Sequence, residues 1–216
     1  MNIQHLIEVA RETMLTSGNI MPMVHLELKS DDPEKEDINV IMALDLFSDA
    51  QSTPIQGGII ARAGWEECKN HPGYKPTFAG MYAEAWTIKE PDNDEQKLRP
   101  KLSDKRQEVI MVEAWHAEGN KRESYRMSVI RDHNKRVVDI GALEGPKNEV
   151  SMIFASFLQG VHDAQRPDEE VFSRMEGMIA KRIANLSPER RQELRDFAKS
   201  EGIPDEFLNG LTGGIS

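Results

Sequence analysis

Between Phe78 and Leu143 the chain passes through four consecutive segments with the two-residue period of strands: Phe78 to Lys89, Gln107 to Glu118, Ser124 to Arg131 and Arg136 to Leu143. The last three are joined at Glu118-Gly119-Asn120 and Asp132-His133-Asn134. Turns this short suit hairpins, whereas parallel neighbours need a long crossover. An antiparallel meander is therefore the framework on which the other segments must pack.

Those segments are patterned too. Ile3, Leu6, Ile7, Ala10 and Met14 recur at helical spacing, and Gly18 follows as a stop. Met21 to Lys29 and Ile38 to Phe47 have strand character and flank an acidic turn, Ser30 to Asp37. In the second of them Ile38, Val40, Met42, Leu44 and Leu46 share one face. Ile41, Ala43 and Phe47 share the other, which predicts an interior strand covered on both sides. A second helix is expected from Pro54, carrying Ile55, Ile59, Ile60, Ala63 and Trp65, and ending near His71-Pro72-Gly73.

After Gly145-Pro146 comes a broad helical stripe of Val150, Ile153, Phe154, Phe157, Leu158 and Val161, expected to pack on the sheet. From Pro167 the pattern is helical only, with Ser187 a ready N-cap. The fold class expected is α+β: a mainly antiparallel sheet with packed helices, followed by a helical C-terminal extension. The domain reading is 1–165 for the sheet domain and 166–216 for the extension.

Composition narrows function. The formal net charge of −10 opposes broad nucleic-acid binding, which needs concentrated lysine and arginine. A single cysteine, Cys68, excludes an internal disulfide and any multi-cysteine metal site. The start Met1-Asn2-Ile3-Gln4-His5 lacks the basic and apolar regions of a signal peptide, and no apolar run approaches a membrane span. A cytoplasmic protein without a membrane partner is expected.

Chemistry concentrates in a repeated Glu-Ala-Trp. The first copy is Glu84-Ala85-Trp86 and the second Glu113-Ala114-Trp115, with His116 following. Alternation puts Glu84 with Trp86, and Glu113 with Trp115. If the two faces coincide, a pair of carboxylates could share a proton, hold a cation or act as acid and base. A structural role competes with that chemistry, each glutamate pairing with Arg126 or another cation while the indoles pack. The long charged connection between the strands, with Arg99 and Arg106 in its basic half, could grip a carboxylate, a phosphate or an acidic partner surface.

Other constellations are weaker. The histidines show no metal-binding spacing, so no metal and no cofactor is expected. Cys68 lies in a helix near an apolar stripe and reads as a small buried hydrophobe. No dinucleotide, phosphate-loop, nucleophile-elbow or kinase signature occurs.

The run Ala83-Glu84-Ala85-Trp86, then Arg99-Pro100, Ser103-Asp104, Arg106 and Glu108, resembles a group of bacterial and phage-associated proteins with no assigned activity. In that group a strand ending in Ser-Glu-Ala-Trp leads through an Arg-Pro-Ser, acid, Arg, Glu segment to a second strand. Here Ala83 replaces the serine, and Lys101-Leu102 interrupts the Pro-Ser step. The resemblance covers Phe78 to Leu143 and implies the sheet topology and a shared surface, without a reaction.

The functional expectation is a non-enzymatic interaction or accessory protein, assembled as a homo-oligomer or with a host protein. One contact surface would comprise Glu84, Trp86, Arg99, Arg106, Glu113, Trp115 and His116. The other would be the helical stripe of Phe172, Met175, Met178 and Ile179. The rival expectation is an enzyme or binder of a small anionic ligand, with its pocket between a Glu84/Glu113 face and the Arg99–Arg106 loop.

Overall fold

The first helix, α1 (Ile3–Ser17), begins where the Asn2 side chain accepts a hydrogen bond from the His5 N–H at 2.9 Å. It ends at Gly18, whose φ of 75° favours a residue without a β-carbon. Its buried stripe is Leu6, Ile7, Ala10 and Met14, as the spacing predicts. A computed structural model describes residues 2–44, 53–87 and 106–167, with positions 170, 173, 187–189, 191–193 and 196.

The sheet contains β1 (Met23–Ser30), β2 (Ile38–Ala43), β3 (Tyr74–Thr87), β4 (Gln107–His116), β5 (Lys121–Arg131), β6 (Val137–Ile140) and β7 (Glu144–Lys147). Its order is β2-β1-β3-β4-β5-β6, with β7 also on β5, and every pairing is antiparallel. Helices α2 (Thr53–Asn70) and α3 (Met152–Asp163) complete the described elements of regular length. The α+β class and the meander are thus as expected.

Two apolar cores lie on opposite faces of the sheet. One joins α1 to Phe78, Tyr82, Ile110, Val112, Ala114, Met127 and Ile140. The other joins Phe154, Phe157, Leu158 and Val161 of α3 to Val24, Leu26, Leu28, Ala79, Met81 and Trp115, with Ile60 of α2. Full burial of such a side chain contributes about 1.5–3 kcal/mol, so both layers are needed to hold the sheet. Cys68 packs against the second core, and burial pushes its thiol up to about 12, which leaves it protonated at neutral pH.

Two expectations need correction. Among the described strands β2 is not interior: it ends the strand order, and its exposure alternates residue by residue. Its apolar sequence reflects one partly buried face, Ile38, Val40 and Met42, against the second core. Ile41 on the other face is 57% exposed. The meander also has one more strand than expected, because β6 and β7 successively occupy the outer edge of β5. Glycine and proline at 145 and 146 hid β7 from a pattern search.

In the C-terminal region positions 170, 173, 188, 189, 191–193 and 196 are helical. The Arg191 N–H donates to the Ser187 carbonyl at 3.0 Å, placing Ser187 at a helix start. No helix among the described residues is long and apolar enough to cross a membrane.

Candidate functional site

Strand register decides whether the repeated Glu-Ala-Trp makes one site. In β3 and β4 the opposed pairs include Phe78 with His116, Ala79 with Trp115, Met81 with Glu113, Glu84 with Ile110 and Trp86 with Glu108. Opposed residues of an antiparallel pair project to the same face. Glu84, Trp86 and His116 therefore belong to the α1 face, whereas Glu113 and Trp115 belong to the α2/α3 face. The two glutamates stand on opposite sides of the sheet.

Glu113 is completely buried at the start of α3. Its carboxylate accepts from the Ser151 hydroxyl at 2.6 Å and from the Ser151 main-chain N–H. The same hydroxyl accepts from the Phe154 N–H at 3.2 Å and so caps the helix. Burial raises the Glu113 pKa, opposed by the two Ser151 hydrogen bonds and the Arg126 charge. What this arrangement does is fasten the helix N-terminus to the middle of the sheet. Trp115 is likewise tied down: its indole N–H donates to Asn120 at 2.8 Å, and its ring meets His162 edge-on at 5.0 Å.

The α1 face holds two polar groups at opposite ends. At one end Trp86 carries the Arg106 guanidinium over its ring at 5.1 Å. The opposed Glu108 is nearly buried and receives Arg131, whose Nε lies 2.7 Å from one carboxylate oxygen while a second guanidinium nitrogen reaches the other. Arg131 also donates to the carbonyls of Gly18 at 2.9 Å and Lys135 at 3.0 Å. Its pKa is raised by the Glu108 hydrogen bond, against desolvation, with help from the Glu108 and Glu84 charges. At the other end buried Glu123 meets His116 at 3.0 Å and Lys121 at 3.1 Å, with the Tyr125 hydroxyl at 3.4 Å. Burial would raise the Glu123 pKa, but the bonds and charges of Lys121 and His116 bring it below its ordinary value.

The sequence-predicted surface thus divides. Glu84, Trp86 and Arg106 gather with Glu108 and Arg131, His116 lies at the far end of the same face, and Glu113 with Trp115 lies behind the sheet. Arg99, Phe172, Met175, Met178 and Ile179 lie outside the described residues. Among the described residues no group of three or more histidine, cysteine or acidic side chains could hold a metal ion.

Sequence reasoning passed over the more distinctive surface, the two edges of the sheet. The β6/β7 edge has two strands of four residues, register shifts against β5, Asp139, Glu144 and Lys147, and Pro146. Short strands, bulges, charges and proline are devices that blunt an edge against further pairing. The β2 edge has none of them. It runs Ile-Asn-Val-Ile-Met-Ala with six pairs to β1 and no register shift. The absence of lysine, glutamate and proline over that run was visible in the sequence, but an interior strand carries the same signature.

No protein-family model, curated protein or solved structure matches this chain.

Proposed function

We propose that this chain is a non-enzymatic interaction or accessory protein that acts through protein–protein contacts, in the cytoplasm, as part of an oligomer or with a host protein. The observation that carries the reading is the contrast between its edges. One edge is interrupted and charged, while β2 presents a strand of regular register and no charged residue, with Ile41 exposed. A fold that blunts one edge and leaves the other unpaired among the described residues is suited to pairing there. The buried glutamates support the same reading, because each is engaged in holding the fold together. Glu113 anchors α3, Glu108 receives Arg131, and Glu123 receives Lys121 and His116.

Native mass spectrometry on untagged protein purified gently from its own host tests this. A mass above the 24.5 kDa of one chain, lost in the Ile41→Lys variant while the fold is retained, is the expected result. A 24.5 kDa monomer carrying a small molecule or metal ion would overturn the reading in favour of a ligand pocket.

A further inference from the structure

We propose that the β2 edge takes up an extended segment of another protein, with alternating apolar residues at its centre and lysine or arginine at the flank that meets the β1–β2 turn. The proposal rests on the interaction reading above and specifies the chemistry of the partner. Backbone geometry shows what is on offer. The Leu44 N–H donates to the Pro22 carbonyl at 2.8 Å, so those residues form a hydrogen-bonded pair. At every second position along the register, Ile38, Val40 and Met42 turn their main-chain groups towards β1. Asn39, Ile41 and Ala43 therefore turn theirs outward, where no strand pairs with them among the described residues. An added strand would satisfy that row of donors and acceptors and cover Ile41.

Charge selects the occupant. The turn into β2 carries Asp31, Asp32, Glu34, Glu36 and Asp37 against Lys35 alone. Asp31 pairs with Lys75 at 2.7 Å and Asp37 lies 3.8 Å from Lys29. Asp32, Glu34 and Glu36 are exposed and make no ion pair among the described residues. Pairing β2 with a second copy would bring together two chains that each carry a net charge of −10. A strand with a basic flank beside the turn meets opposite charge there instead.

The test uses the full chain and two fluorescent peptides with one alternating valine–threonine core, flanked by lysines in the first and glutamates in the second. Anisotropy should show the lysine-flanked peptide binding about tenfold or more tightly than the other. Neutralising Asp32→Asn, Glu34→Gln and Glu36→Gln together should remove most of that preference. Asn39→Pro deletes an outward N–H without touching a β1 hydrogen bond and should abolish binding of both peptides. Ile41→Lys, which keeps the backbone donor, should weaken both and serves if the proline variant fails to fold. Equal binding of the two peptides would overturn the basic-flank assignment while leaving the edge as an interaction site. Binding of neither, or binding indifferent to Asn39→Pro and Ile41→Lys, would overturn the edge itself. A dimer formed by the free protein and dissolved by Ile41→Lys would replace the foreign strand with a second copy.

Discussion

Glu113 and Ser151 hold each other in a closed exchange: the serine donates both its hydroxyl and its main-chain N–H to the buried carboxylate, then caps α3 through Phe154. The contact spans 38 residues of sequence and joins a central strand to a helix start. Glu113→Ala should therefore destabilise the fold by about 1–3 kcal/mol, the cost of leaving buried partners unsatisfied. Glu113→Gln preserves an acceptor for the N–H and removes a buried charge. Because burial raises the folded pKa above the ordinary 4.5, the unfolded chain loses its proton first. The Glu113 contribution is thus most favourable below pH 4.5 and declines as pH rises towards the folded value. Urea denaturation of Glu113→Gln should lack that decline. A loss at neutral pH as large as that of the alanine variant would refute this account.

His25 makes the opposite pH prediction. It is 5% exposed, and neither ring nitrogen has a hydrogen-bond partner among the described residues, although the ring lies 5.6 Å from that of Tyr82. Desolvation, with the charge of His5 on α1, lowers its pKa below 6.5. The neutral form is the one that folds, so its contribution is intact above pH 6.5 and is lost as pH falls towards the folded value. His162 shifts in the same direction through burial and the charges of Arg122 and Arg166. Thermal melts across this range should show His25→Leu more stable than the parent and less sensitive to acid, with His162 supplying the remaining slope. An unchanged acid sensitivity would exclude His25 as its source.

Helices α2 and α3 cross through glycine. A β-carbon on Gly160 would lie 1.7 Å from the Ala61 carbonyl oxygen, and one on Gly64 would lie 2.6 Å from that of Phe157. A carbonyl cannot rotate aside, so Gly160→Ala must part the helices and should cost about 1–3 kcal/mol or more. Gly18→Ala offers the control: nothing lies within 4 Å, and only the φ of 75° opposes it, at about 1 kcal/mol. Calorimetry should rank the two in that order.

Arg131 ties the end of α1 to the β5–β6 turn through Gly18, Lys135 and Glu108. Lysine has neither the fork nor the reach for three acceptors. Both Arg131→Ala and Arg131→Lys should speed amide exchange in the last turn of α1, the alanine costing about 1–3 kcal/mol. Exchange unchanged at Met14 to Gly18 in either variant would show that the helix end is held by apolar packing alone.

Local pattern carried much of this fold. The α1 stripe, its stop at Gly18, the α2 span, the three-strand meander and the α3 stripe all follow from spacing and turn chemistry that act within a dozen residues. Strand β7 escaped because glycine and proline break the pattern it needs, and β2 was misplaced because one covered face and two leave similar apolar runs. The candidate site was less legible. Alternation correctly grouped Glu84 with Trp86 and Glu113 with Trp115, yet whether the groups face each other depends on register between strands more than twenty residues apart.

What the sequence determined by itself is therefore the menu of elements: which residues are helical, which alternate, where the chain turns, and a net charge of −10. Only tertiary structure decided that the two glutamates point away from each other, that β2 ends the sheet among the described strands, and that glycines set the distance between α2 and α3. The physical reason is one of range. Helical and strand periods arise from steric and hydrogen-bonding rules between near neighbours, whereas register, strand order and edge exposure are set by which distant surfaces bury together.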